Sequence, residues 1–290
     1  MAGVTMTLAR RAWTLYEPIH AIVYFAPEST DAYKAAGLRG GWMGYFASRS
    51  AAMGAVRGEV VSAVFHNFRP SMVLRAIPDA WTFSSPERVL EARLEVADAA
   101  LRRLWGPEVD SDEVTETAAV MLEVAGGLHA DGRPLYAGHA GLPIPEVPHL
   151  ALWHACSLLR EHRFDGHIAA LTVNGLDGLD ALVIASASGT GMDAATMQKV
   201  RGWTEDEIGA AWERLRERGL VDAEHGLSSE GTAVKAEVED ATDRLSGGVW
   251  DALEETRRER LFDALHRLAT RLEHPEGIRY PNPIGVSRPV

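Results

Sequence analysis

Residues 148–167 read PHLALWHACSLLREHRFDGH. Pro148 suits the first turn of a helix. The run HLALWHACSLL behind it is apolar on nearly every side of a 3.6-residue turn, so this helix has to be enclosed by other elements. The apolar run then passes directly into two arginines, two histidines, a glutamate and an aspartate between Arg160 and His167. Any fold for this chain must bury the first part and find a place for the second. The spacing predicts a helix over 148–164, ended by REHR, where Arg and His meet the negative end of the helix dipole. Asp165-Gly166 then reads as a turn. Asp165 would N-cap a following helix, with His167 in its first turn. A chemical reading of the same residues makes His162, Asp165 and His167 a catalytic His/carboxylate cluster for proton transfer near neutral pH. Capping and an internal salt-bridge network come ahead of a metal site, because HxxDxH is not a specific metal signature.

The rest of the chain also reads as helical, and the expected class is all-α. Two helical stretches flank the Gly-rich AGLRGGWMG between Tyr33 and Phe46, and 51–65 reads as a buried helix despite its glycines. Ser85-Pro86 opens a helix with apolar residues at Val89, Leu90, Leu94, Val96, Ala97 and Leu101. Another covers 112–128, and 167–187 suggests two short buried helices. Punctuation recurs: Arg69-Pro70 with Arg133-Pro134, Pro78 with Pro143, Pro86 with Pro148. The recurrence predicts a helical domain over 1–187 with two similar halves, about 51–105 and 115–165. A small-molecule pocket is expected in the crevice between them.

Candidate ligand-binding residues in that pocket are His20, Trp42, Tyr45, Arg49, His66 and His154. His20 lies in the apolar PIHAIVYFAP, where burial demands a partner. Trp42, Tyr45 and Arg49 fall at roughly helical spacing, an aromatic wall with one guanidinium that suits a flat or acidic organic ligand. The alternative for Arg49 is pairing with Glu17 or Glu28, and each histidine has the alternative of an ordinary satisfied core residue. GLRGGWMG lacks the Lys-Ser/Thr of a phosphate loop, and SASGTG has no acidic ribose partner after it. The single cysteine, Cys156, reads as a small core residue and excludes a Cys-based zinc cage. No cofactor is required by the sequence, and a metal or chromophore is left open. The N-terminal segment has no apolar signal region and no run is long enough for a membrane span, so the expected location is cytoplasmic, without a membrane partner.

The last third changes character. A short helix over 193–202 leads through a turn to Glu205–Arg218, with Thr204 as N-cap and Glu207 in the capping-box position. Then come LVDAEHG, LSSEG and an amphipathic helix over 232–245. This is the order of a winged helix-turn-helix over 188–246, followed by a C-terminal helix and Pro-rich tail over 247–290. The net charge is −12, which repels nucleic acid at long range. Glu205, Asp206 and Glu207 occupy the helix end that would face DNA, and 193–230 holds five basic and nine acidic residues. DNA binding is therefore not expected, and the module reads as a packing or homodimerisation unit.

RLRERGLVDAEHGLSSEGTAV resembles the MarR-type run through the wing. With EPIHAIVYFAPE, GYFASRSAAMG, FHNFRP, LALWHACSLLREHRFDGHIAAL, RGWTEDE and PNPIG, the whole chain is similar to an actinobacterial helix-turn-helix family whose members are often labelled MarR-like. The resemblance implies a glycine where this chain has Phe164. Two functions stand: a small-molecule-binding protein of specialised metabolism, with the His/Asp site as a biosynthetic or modifying centre, or a ligand-responsive MarR-like regulator.

Overall fold

The computed structural model describes residues 6–282 and 284–290; residues 1–5 of the expected non-signal N-terminus and Pro283 of PNPIG lie outside it. The described residues form fifteen α-helices and no sheet, only two isolated bridges at Val221–Leu227 and Glu273–Ile278. No single helix among them is long and apolar enough to cross a membrane.

Three helices open the chain: α1 (Leu8–Phe25), capped by Thr7, α2 (Glu28–Ala35) and α3 (Gly41–Ser50). Short α4 (Gly58–Val64), α5 (Pro70–Leu74) and α6 (Ala80–Phe83) lead to α7 (Pro86–Trp105). Ser85 caps α7 through the Arg88 amide and Pro86 takes its first turn, as expected. The helix expected over 51–65 is divided, because Gly54 at φ 80° stops a three-residue 3-10 turn before α4 begins. Then follow α8 (Asp112–Gly126), α9 (Pro134–Ala140) and α10 (Pro148–Val173). Both Arg-Pro pairs open short helices, and Pro86 and Pro148 both open long ones. The recurrence therefore exists as helix starts. Packing differs between the two stretches: α8 lies along α10, whereas α4 packs on α5.

The end of α10 corrects the sequence reading. Helix α10 does not stop at Phe164 but runs 26 residues to Val173, about 39 Å at 1.5 Å per residue. Asp165-Gly166 is therefore mid-helix rather than a turn, and the first of the two helices expected over 167–187 is the end of α10. Residues 160–167 need no exit to water because neighbouring elements partner them. Gly166 has a packing reason: a Cβ there would stand 2.6 Å from Arg133 Nη1 and 3.3 Å from Leu245 Cβ.

Beyond it lie α11 (Gly178–Ala187), α12 (Ala194–Arg201), α13 (Glu205–Glu217), α14 (Ser229–Asp251) and α15 (Glu255–Thr270). Asp177 and Asp180 form a capping box on α11, as Thr204 and Glu207 do on α13. Gly202, left-handed at φ 78°, ends α12. The amphipathic helix is longer than expected, because Ser228, within LSSEG, caps it four residues before the expected start, and the helix packs on α1 and α10.

Two apolar cores result. The larger is built on α1, α7, α8, α15 and α10 up to Leu159. The smaller begins at Ala170 and Leu171 on α10 and takes residues from α11 to α14. The boundaries drawn at 187/188 and 246/247 do not follow these cores: α11 packs in the smaller one and α14 runs unbroken through 246.

Candidate functional site

At the centre of the larger core is a buried ionic network. Arg49 of α3 and Glu161 of α10 are 1% and 0% exposed. Their contact is bidentate, Nε to Oε1 at 3.2 Å and Nη2 to Oε2 at 2.8 Å. Arg160 donates to Glu161 Oε2 at 2.8 Å and to Glu17 of α1 at 3.3 Å. Glu17 also accepts from Trp13 Nε1 at 3.1 Å. Arg49 Nη1 reaches the Tyr45 hydroxyl, one turn earlier on α3, at 3.1 Å. Burial alone would raise the Glu161 carboxyl, but Arg49 and Arg160 outweigh it and hold it well below the usual carboxylate range. Of the two partners proposed for Arg49, neither is the one used: Glu17 pairs with Arg160 and Glu28 with Arg103.

His20 closes the network on the side of α1. Its Nδ1 meets Ser157 Oγ at 2.9 Å and its Nε2 meets the Tyr24 hydroxyl at 2.8 Å. Ser157 gives its own proton to the Trp153 carbonyl, so His20 carries its proton on Nδ1 and accepts at Nε2. Burial, and then the Arg160 charge, hold this imidazole neutral. His20 is thus a satisfied core histidine.

The open site lies between the two cores. Two adjoining cavities of about 670 and 430 Å³ share Asn67, Phe164, His167, Thr190, Arg201, Ile284 and Gly285. They form one crevice lined by residues of α10, α12 and α14 and, from the C-terminal tail, by Pro281, Asn282, Ile284 and Gly285. Arg10, Arg49, Arg160, Arg163, Lys199, Arg201 and Lys235 line it, against two carboxylates, Glu17 and Glu239. Phe164, at the junction, has the guanidinium carbons of Arg160 and Arg49 4.5 and 5.0 Å from its ring centroid. Arg163 pairs with Asp243 at 2.7 Å and Ser246 at 2.8 Å.

The expected catalytic trio does not converge. On an unbroken helix, His162 and His167 point about 140° apart. His167 faces the crevice, with Nδ1 3.0 Å from Thr242 Oγ1. Thr242 donates to the Val238 carbonyl, so it accepts from His167 Nδ1 and leaves Nε2 as an acceptor. Burial lowers the His167 pKa to about 4, which makes it a poor base near neutrality. His162 lines a separate cavity of about 590 Å³ with His129 and Arg133. Asp165 accepts from the Tyr136 amide at 3.0 Å and so caps α9 from another helix, instead of capping its own successor. Burial raises its pKa to about 6. Arg133 crosses above Gly166 to donate to the His162 and Leu245 carbonyls.

Of the expected ligand residues, Tyr45, Arg49 and His66 line the crevice. Trp42 packs behind it on Tyr45, Phe46 and Phe68. His154 is buried outside the crevice, its pKa lowered to about 4 by burial and then by Arg93. Sequence reasoning took Arg160, Glu161 and Arg163 for a capping and salt-bridge network and did not place them at a site, and it did not single out Arg201. One signal was present: Glu161 is seven residues after His154, on the same face of the apolar run. Among the described residues no group of three or more His, Cys, Asp or Glu is placed to hold a metal ion.

The helix-turn-helix element leans on the body. Arg69 Nε donates to Glu207 at 2.9 Å, Trp203 Nε1 to the Asn67 carbonyl at 3.1 Å, and the Arg69 amide to the Arg201 carbonyl at 3.0 Å. Glu205 and Asp206 are exposed. The wing is a tight turn in which Asp222 Oδ1 accepts from the Glu224 and Gly226 amides.

No curated protein and no solved structure matches the chain. The sequence profile of a helix-turn-helix family, by contrast, matches residues 9–278, which takes in the smaller core and all but the C-terminal edge of the larger one. The chain belongs to that helix-turn-helix family.

Proposed function

We propose that the protein binds a flat, acidic organic molecule in the crevice between its two cores, and that the winged-helix unit serves packing or dimerisation. The observation that carries this reading is the lining: of seven cationic side chains, Arg10, Arg49, Arg160 and Arg163 form ion pairs with Glu17, Glu161, Glu239 and Asp243, and Lys199, Arg201 and Lys235 leave the crevice net positive in a chain of net charge −12. Such a concentration of positive charge in a concave, partly apolar space selects anionic ligands. The ring faces of Phe164 and Trp13 supply apolar contact, and His167 Nε2 offers one hydrogen-bond acceptor. Proton transfer by His162, Asp165 and His167 together is not part of this reading.

A matched pair of fluorescent probes tests it. 8-Anilinonaphthalene-1-sulfonate and N-phenyl-1-naphthylamine differ by one sulfonate. The sulfonate is expected to bind the native protein at least tenfold tighter, and a Lys199→Glu/Lys235→Glu variant should abolish the difference. Equal binding of the two probes would refute the acidic ligand. Binding indifferent to the variant would place the site elsewhere.

A second reading, a ligand-responsive regulator, is favoured by one observation: Thr196, Lys199 and Arg201 of α12 line the crevice, so a ligand there touches the helix-turn-helix itself. The acidic start of α13 and its tie to Arg69 oppose direct DNA binding. A gel shift with random duplex at low salt should therefore show no retarded band, since electrostatic binding is strongest under those conditions. A salt-sensitive shift would favour the regulator.

A further inference from the structure

The two compartments of the crevice differ in character. The larger, about 670 Å³, is bordered by Ile168 and Leu171 near the end of α10, by Ala181, Leu182 and Ala185 of α11, and by Val200 of α12. Leu171 and Leu182 belong to the smaller core, so this compartment opens onto the apolar side of the helix-turn-helix unit. Ile168, Ala181, Ala185 and Val200 are only half-buried there. Apart from His66 and His167, its titratable lining among the described residues is Lys199 and Arg201, and it has no carboxylate.

The smaller compartment, about 430 Å³, has the opposite make-up. Arg10, Arg49, Arg160 and Arg163, each in an ion pair, border it, and Lys235 adds a further cation. Arg201 is the one Arg or Lys, among the described residues, that borders both compartments, and Asn67 borders both beside it. Its side chain is held in place: Nη1 donates to the Val200 carbonyl at 3.1 Å, and the guanidinium carbon stands 4.5 Å from the Phe68 ring centroid. Arg201 is 4% exposed, and burial is the main cause that lowers its pKa. An anion at the junction offsets that cost. A fixed guanidinium on the border of a polar and an apolar space also sets an orientation. A charged group loses hydration in the larger compartment without gaining a partner on its apolar walls, whereas apolar surface gains most against those walls.

We infer that the ligand is an amphipathic monoacid, seated with its acid group at Arg201 and an extended, flat apolar body in the larger compartment against α10, α11 and α12. The inference rests on the reading of the crevice as an acid-binding site and adds which end of the ligand lies where. A space of about 670 Å³ is within the range that encloses a drug-sized molecule. The body, rather than the acid group, is then the part of the ligand that rests on α11.

Titration calorimetry with benzoate, 2-naphthoate and anthracene-2-carboxylate tests the assignment, because the three share one acid group and differ in the apolar body. Affinity for the native protein is expected to rise about tenfold with each added ring, as more apolar surface is buried. Ala181→Phe, which fills the larger compartment, should remove most of that gain, and so should Ile168→Gln, which makes its wall polar. The two act by different means, and thermal unfolding without ligand shows whether each is folded, so either one alone carries the test. Lys235→Glu, on the side of the acid group, should weaken all three acids by a similar factor. A gain per ring that persists in the folded Ala181 and Ile168 variants, or equal binding of the three acids to the native protein, overturns this orientation and leaves an acid-binding crevice standing. Failure of all three acids to bind overturns both.

Discussion

Glu161→Gln should cost about 3–5 kcal/mol of folding stability, the range for removing one partner of a buried ion pair. The carboxylate stands between two guanidinium groups. Its loss leaves Arg49 with no charged partner and Arg160 with Glu17 alone. Arg49, 1% exposed, has little access to water although it borders the crevice. Against a total stability of about 5–15 kcal/mol, this is a large fraction, and urea denaturation at pH 7 will register it as a lower midpoint with little change in slope. Adding Arg49→Met should recover part of the loss, because it removes the stranded charge and leaves an apolar chain of similar length. A loss below about 1 kcal/mol for Glu161→Gln would mean that water reaches the network and screens it.

Acid should unfold the protein earlier than carboxylate protonation alone requires. Burial lowers the pKa of His139, His154, His162 and His167 from 6.5 to about 4, and holds His20 well below its usual value. For a base depressed in the folded state, the unfolded chain takes up its proton first as pH falls. Stability is therefore complete above pH 6.5 and drains away between there and about pH 4. At 1.36 kcal/mol per pKa unit, fully buried His139 alone accounts for on the order of 3 kcal/mol across that window. Asp165 has the opposite sign. With its pKa raised from 3.8 to about 6, the folded state binds its proton first, so it returns stability as pH falls through 6. Asp165→Asn, which keeps an acceptor for the Tyr136 amide, should make the acid loss steeper. Chemical denaturation at pH 7, 6 and 5 checks both signs. Equal stability at pH 7 and pH 5 would show that these imidazoles are not buried in solution.

Helix starts were legible because their causes are local. Ser85 with Pro86, and Thr204 with Glu207, each act within one turn, and the structure has both where the sequence puts them. The end of α10 was not legible, because what prolongs it is distant in sequence. Asp165 serves the start of α9, Arg163 serves Asp243 on α14, and Glu161 serves Arg49, 112 residues away. A cap written for its own helix and a cap written for another use the same residue type. Tyr45 and Arg49 stand at helical spacing in the chain and both border the crevice, but that crevice lies between the two cores and not between the two halves that the recurrence suggested. The splitting of His162 from His167 was hidden behind the assumed turn: a bend at Asp165-Gly166 would let them meet, and a straight helix keeps them apart.

The continuity of α10 also decides how the protein can be taken apart. Ala170 and Leu171 lie in the smaller core, while residues up to Leu159 of the same helix lie in the larger one. A fragment starting at 188 would lack the α11 side of that core, including Leu179 and Val183, and one ending at 187 would leave those residues bare. No cut between the winged helix and the body yields two whole pieces. The helix-turn-helix is thus not a detachable head on a carrier but one end of a spar whose other end is the centre of the molecule. A shift of that end has no slack loop within α10 to absorb it.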